Sequence, residues 1–254
     1  MTRLLNSYFF IMALLLLAAC KSPQPAVSGK QYTLVDSVQA ETDSNIYRLA
    51  DPFRQQLSLT MSETVCTSDA VLERGNPEGT LGDFVADLCL AAGNRAAKVL
   101  RIDTADFIVL NNGGLRKPLP QGTITLGYLY EVMPFENRLF ILELTGSQVM
   151  ELCDFISSMN GTPVSGIRFS VNKENKAARV MIAGKALEEN STYRVMTADY
   201  LANGGDKFDV FKKAAKKSDT SLKIRDAMIA HTRQLTASGK HISIRLDGRI
   251  SHED

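Results

Sequence analysis

An uninterrupted apolar run, Phe107-Ile108-Val109-Leu110, that stops at Asn111-Asn112-Gly113-Gly114 sets the tightest limit on how this chain can fold. Four apolar residues bounded by turn formers read as a buried strand. Two asparagines and two glycines favour left-handed or bent backbone, and bring the main chain close to whatever sits above it. Arg116 follows on the rim of that turn. A second break, Pro134-Phe135-Glu136-Asn137, puts an aromatic ring at the start of another strand, Leu139 to Leu144. Taken singly, such a turn is usually only a turn, Arg116 a solvated arginine and Phe135 a core ring. Together they point to a loop-lined ligand site at strand ends, where α/β proteins place ligands.

Around this stretch the periodicity gives a mixed α/β chain. Leu81, Phe84, Val85, Leu88, Ala92, Ala96 and Val99 fall on one helical face, with Thr80 as N-cap and Asp83 placed to answer the open amides of the first turn. Thr145-Gly146-Ser147-Gln148 has the form of a capping box, followed by a short helix through Val149, Leu152, Cys153 and Ile156 that Gly161 closes. Ile167 to Val171 and Ala178 to Ile182 alternate as a hairpin, and Tyr193 to Thr197 forms another strand. Ser221 to Ala237 is an amphipathic helix, and His241 to Leu246 a last strand. Gln31 to Met61 reads as a short strand, around Tyr32 to Val38, and then irregular or helical structure with Pro52 in it.

Two blocks carry a family resemblance. N-N-G-G-L-R, T-I-T-L-G-Y-L-Y-E-V-M-P-F-E-N and L-T-G-S-Q-V, then Y-R-V-M-T-A-D-Y-L-A-N-G-G-D-K-F from Tyr193 to Phe208, resemble the C-terminal domain of the 5'-nucleotidase and UDP-sugar hydrolase family. The likeness runs from about Pro77 to Arg249. It implies layered sheets flanked by helices. It implies that Phe135 and Tyr200 stack on a nucleobase, flat faces whose stacking contributes about 1–3 kcal/mol per base. On the same likeness Asn111 bonds the base, Arg116 reaches ribose and phosphate, and Asp206 accepts from ribose hydroxyls, while Gly113 and Gly114 supply clearance. Gly204-Gly205 permits the bend that turns Asp206 back toward the ligand. Arg74 stands one residue from the place of an upstream family arginine and is kept as an additional candidate, beside the reading of a surface arginine. Three departures are visible. Tyr200 replaces a more usual Phe, Asn112 stands where a first glycine would be, and Glu136 where a glycine follows the aromatic.

The family hydrolyses its substrate with two metal ions held by an N-terminal metallophosphatase domain, and this sequence is expected to have no room for one. Its histidines, His231, His241 and His252, fall near the C-terminus in no metal-ligand arrangement. His231 is expected as a packed core histidine, the others as exposed. No catalytic residue and no cofactor are therefore assigned to this chain, and a divalent metal pair is expected only in a partner metallophosphatase.

Residues 1–19 read as a leader, with Arg3 before the short apolar run Phe9 to Leu17. Leu17-Ala18-Ala19-Cys20 resembles the bacterial lipobox, which implies acylation of Cys20, a lipid anchor in the cell envelope (a periplasmic or outer-membrane lipoprotein) and a flexible tether over residues 20–30. One domain is expected over residues 31–254. A net charge of +1 argues against nucleic acid as partner. The one basic cluster, Lys212-Lys213 with Lys216-Lys217, reads as a solvated helix face rather than a phosphate site. Cys89 and Cys153 fit buried thiols; with Cys66, one disulfide is open, but no spacing implies a disulfide framework or a metal site. The leading expectation is a lipid-anchored nucleotide-recognition subunit of a 5'-nucleotidase reaction with a separate metallophosphatase polypeptide. The alternative is a lipoprotein that binds nucleotides or nucleosides without hydrolysis.

Overall fold

The structure, a computed structural model, describes residues 44–253. The leader, Cys20, the tether and the expected strand around Tyr32 lie outside the described residues. Two units are distinguished, Met1–Leu49 and Ala50–Asp254; of the first, the opening of helix α1 (Ser44–Met61) is described. The second unit carries the fold. After α1 come β1 (Thr64–Ser68), α2 (Thr80–Leu100), β2 (Phe107–Val109), β3 (Gly122–Thr125), α3 (Leu126–Val132), β4 (Arg138–Thr145) and α4 (Gly146–Ser158). Then follow β5 (Val164–Ser165), β6 (Ile167–Val171), β7 (Ala177–Ile182), β8 (Lys185–Ala186), β9 (Thr192–Ala198), α5 (Asp199–Ala202), β10 (Lys217–Lys223), α6 (Ile224–Ala237) and β11 (Ile250–His252).

The main sheet has the order β10-β4-β9-β2-β5. Strands β2 and β9 run parallel, and the other pairs are antiparallel. Phe107, Ile108 and Val109 of β2 are all fully buried, which is why this strand reads as a continuous apolar run instead of an alternation. A second sheet, β11-β6-β7-β8, contains the expected hairpin, and β1 pairs with β3. The fold is therefore mixed α/β with several sheets flanked by helices, as the resemblance implied.

Helix α2 lies against the main sheet, with a buried face that differs from the expected stripe. Leu81, Phe84, Val85 and Leu88 are buried, but the face continues through Cys89, Gly93 and Ala97, leaving Val99 82% exposed. Gly93 explains the turn of that face. A Cβ there would come within 2.4 Å of the Met196 sulfur on β9, so the helix approaches the sheet closely at a side-chain-free position. The N-cap is Gly79; the Thr80 hydroxyl instead accepts from the Glu73 amide at 3.1 Å. Asp83 does not answer the first-turn amides either. It is buried, with Arg249 Nε 3.8 Å from its carboxyl. Burial, then its hydrogen bond with Glu78, push the Asp83 pKa up to about 8 against the pull of Arg249.

The capping box at α4 forms in both directions, Gln148 N–H to Thr145 Oγ1 at 3.3 Å and Thr145 N–H to Gln148 Oε1 at 2.9 Å. Helix α6 starts at Ile224 rather than Ser221. The Thr220 hydroxyl donates to the Leu139 carbonyl at 2.8 Å and the Ser221 amide to Asp219 at 2.7 Å, holding these residues in β10. The expected strand at His241 to Leu246 alternates in burial, but only Ile242 bridges to Ser68 of β1; the last strand is β11, parallel to β6. Cys66, Cys89 and Cys153 are free and buried, and burial pushes the Cys89 and Cys153 thiols up.

Candidate functional site

Strands β2 and β9 end side by side, and β4 begins beside them. The loops leaving these three ends enclose a cavity of about 410 Å³. Its floor is apolar, with Leu110, Leu115, Met133, Ala198 and Ile224; its rim carries Asn111, Gly113, Gly114, Arg116, Phe135, Tyr200 and Asp206. Seven of the eight candidate positions thus meet at one place although they come from three loops. Arg74 does not join them. It is exposed on the loop before α2 and outside the cavity lining.

The Asn-Asn-Gly-Gly stretch takes the bent form, a single 3-10 turn over Asn112–Gly114. The glycines leave room for the Asn111 amide: a Cβ on Gly114 would lie 3.1 Å from its Oδ1 and one on Gly113 3.3 Å from its Nδ2. Asn112 faces the other way, toward Asn76 Oδ1 at 3.1 Å. Arg116 is exposed, and its Nη1 donates to the Gly113 carbonyl at 3.3 Å. The guanidinium therefore stays beside the turn with most of its donors open.

Past Gly204, whose φ is 87°, Asp206 itself adopts a left-handed conformation at φ 50°. Non-glycine residues take that backbone at a cost. Two hydrogen bonds hold it there, Asn111 Nδ2 to Oδ2 at 2.6 Å and Tyr200 Oη to Oδ1 at 2.8 Å. The second raises the Tyr200 hydroxyl pKa, chiefly because the phenol donates to the carboxylate. Gly205 is what admits the Tyr200 ring, since a Cβ there would fall 2.5 Å from two ring carbons.

Phe135 and Tyr200 remain 43% and 49% exposed at the cavity lip. Beside them lies a core in which Phe107, Phe208 and Phe211 are fully buried, so these two rings stand at the cavity instead of joining that packing. Asn137, Ile224 and Arg225 were not singled out in the sequence. Asn137 lines the cavity and donates to Asp199 Oδ1 at 2.7 Å, the same oxygen that accepts from the Tyr200 amide at 2.8 Å. Its place in the Pro-Phe-Glu-Asn block was the available signal. Glu136 turns away to pair with Lys223 and Arg225.

The basic cluster is spent on pairing. Lys212 meets Asp209 at 2.7 Å, Lys213 Glu151 at 2.6 Å and Lys216 Asp103 at 3.1 Å, while Lys217 donates to the Ala202 carbonyl. Lys212 and Lys213 sit on a 3-10 turn, Lys217 starts β10 and Lys216 lies on the segment between, so these lysines share no α-helical face. His231 is half-buried, its ring 5.8 Å from that of Phe84, and burial lowers its pKa with help from Arg95. His241 and His252 are exposed, beside Asp69 and Asn160. The cavity lining supplies a single carboxylate, Asp206, and no histidine or cysteine, a donor set that does not fit a two-metal centre. Glu78, Asp83 and Asp247 do approach one another within 4.8 Å, outside the cavity lining, but the two Glu78 oxygens already accept the Asp247 and Arg249 amides at 2.9 Å.

The sequence profile of the family described as "5'-nucleotidase, C-terminal domain" matches residues 60–213. The chain belongs to that family. Among its relatives is the trifunctional nucleotide phosphoesterase protein YfkN of Bacillus subtilis, 30% identical over 220 residues, covering 79% of this chain and 14% of that protein. The 5'-nucleotidase of Vibrio cholerae is 27% identical over 193 residues, covering 71% and 32%. In three dimensions the chain is similar to the 5'-nucleotidase precursor from Thermus thermophilus, with a TM-score of 0.68, 26% identity, and coverage of 83% of this chain and 43% of that one. The chain therefore spans less than half the length of each of these proteins. The 5'-nucleotidase C-terminal domain family supports a substrate-binding module associated with nucleotidases, and the rim residues described above lie within the matched region.

Proposed function

We propose that this chain is the nucleotide-recognition module of a 5'-nucleotidase-type phosphoester hydrolysis, with the metallophosphatase domain on a separate polypeptide, acting in nucleotide breakdown or salvage. The observation that carries this reading is the pair of exposed rings, Phe135 and Tyr200, at the lip of a cavity whose polar groups are Asn111, Arg116 and Asp206. In this reading the base enters between the two rings, where stacking contributes about 1–3 kcal/mol. Asn111 offers its amide oxygen to the base while its Nδ2 holds Asp206. Asp206, its carboxylate kept in place from both sides, has lone pairs left to accept from ribose hydroxyls. Arg116 presents its free donors to the phosphate, for which a planar guanidinium fork is suited.

The ester is then held at the rim with its phosphate outward. The partner's two metal ions would activate water and neutralise the phosphate; the residues of this chain bind, orient and shield the base. Acylation at Cys20 would keep the module at the cell envelope.

Two measurements on the full chain in detergent test the reading. Titration calorimetry with AMP and adenosine is expected to show binding of both, tighter for AMP through Arg116. A phosphate-release assay with AMP and Mn²⁺ is expected to show none by this chain alone. Absence of binding contradicts the recognition role, and turnover by the chain alone contradicts the division of labour.

A further inference from the structure

Phe135 stands on a turn whose main-chain carbonyls are held from the start of helix α6. The Ile224 amide at the start of α6 donates to the Asn137 carbonyl at 3.0 Å. The next residue, Arg225, donates from Nη1 to the Met133 carbonyl at 3.2 Å and the Phe135 carbonyl at 3.4 Å. Three carbonyls of the turn Met133 to Asn137 are thus fastened by two consecutive residues. The Arg225 side chain is only 8% exposed, and its guanidinium carbon lies 4.3 Å from the centre of the Tyr130 ring on α3. Glu136, inside the same turn, pairs with Arg225 and with Lys223. The guanidinium is therefore gripped from below by an aromatic face and from outside by a carboxylate, with its Nη1 donors aimed at main-chain oxygens on either side of Pro134.

We infer that Arg225 is a positioning residue for the binding slot: through the Met133 and Phe135 carbonyls it sets where the Phe135 ring stands opposite the Tyr200 side of the cavity. This rests on the reading of Phe135 as a nucleobase wall. Arginine suits the task because its planar fork can serve two carbonyls and a carboxylate together, whereas a lysine ammonium is a point donor on a flexible stem. Tyr200 needs no equivalent, since its own hydroxyl is tied to Asp206. Phe135 has no polar handle, so its position must come from its backbone.

A double-mutant cycle separates positioning from general stability. The dissociation constant of AMP is measured by calorimetry for the full chain and for Arg225→Lys, Phe135→Ala and the pair of them together, with melting temperatures alongside. Arg225→Lys keeps charge, length and the Glu136 partner but cannot bridge both carbonyls. It is expected to weaken AMP about fivefold with Phe135 present and less than about twofold once the ring is gone. The same fivefold loss in both backgrounds overturns the inference, because the residue would then act without the ring. If Phe135→Ala weakens AMP and Arg225→Lys does not, the clamp fails while the nucleobase reading stands. If Phe135→Ala itself leaves AMP binding unchanged, the nucleobase reading fails and takes the clamp with it. Should Arg225→Lys fold poorly, Glu136→Gln releases the outer grip on the guanidinium at an exposed position, and the same dependence on Phe135 is required of it.

Discussion

The Nδ2 of Asn111 donates to Oδ2 of Asp206 at 2.6 Å across 95 residues of sequence. That bond joins the turn after β2 to the loop after α5, and it leaves the Asn111 amide oxygen and the far side of the carboxylate for a ligand. Tyr200 completes the arrangement from the other oxygen of Asp206 at 2.8 Å. The half-exposed Tyr200 ring therefore also holds the carboxylate beside it.

Tyr200→Phe separates these two roles. The face remains and the hydroxyl is lost, so adenosine binding is expected to weaken by about 1 kcal/mol, the net worth of one hydrogen bond. Tyr200→Ala removes both and should cost more, up to about 3 kcal/mol beyond it. Calorimetry with adenosine checks the order; equal losses in the two variants would mean that stacking adds nothing.

Gly205→Ala tests the clearance under that ring. A methyl group would come within 2.5 Å of the Tyr200 ring carbons, and a ring on a two-χ side chain moves more readily than backbone. The ring is expected to swing away and release Asp206, weakening AMP about tenfold or more with a small change in melting temperature. A variant with unchanged affinity would show that the ring does not rest on this glycine.

Asp83 gives a pH dependence of defined sign. Its pKa is pushed up to about 8 by burial and the Glu78 hydrogen bond, with the Glu78 and Asp247 charges adding and Arg249 opposing. The unfolded chain releases this proton near the ordinary value of 3.8, so between these values the folded state binds more protons. The contribution of Asp83 to stability is complete below the lower value, falls as pH rises toward 8, and is flat above it. Asp83→Asn cannot ionise. Urea unfolding should therefore show the variant gaining on the wild-type chain between about pH 5 and about pH 8. A difference that stays constant or shrinks would place the proton elsewhere.

Local chemistry made much of this legible. The Thr145–Gln148 capping box formed because its two bonds are made within four residues. Strand β2 was readable because burial on both faces leaves no room for polar alternation. The Gly204-Gly205 bend announced the return of Asp206, and the resemblance carried Phe135, Tyr200 and Asn111 to one cavity. What was missed depends on partners outside the element that each residue belongs to. Thr80 looks like an N-cap until Glu73 claims its hydroxyl. Asp83 looks like a first-turn acid until Arg249 arrives from the C-terminal end. The alternation of His241 to Leu246 is present in its burial, yet alternation cannot name the neighbouring strand, and the pairing falls to Ile250–His252. Arg225 carried no signal of its own in the sequence; only the fold sets it against the Phe135 turn.

The most direct test of the central claim is a crystal structure of this chain with AMP bound. Electron density for the adenine between the Phe135 and Tyr200 rings, with the ribose hydroxyls on Asp206 and the phosphate toward Arg116, is the predicted result. Density for the base outside that slot, or the two rings packed together with the nucleotide excluded, would contradict it.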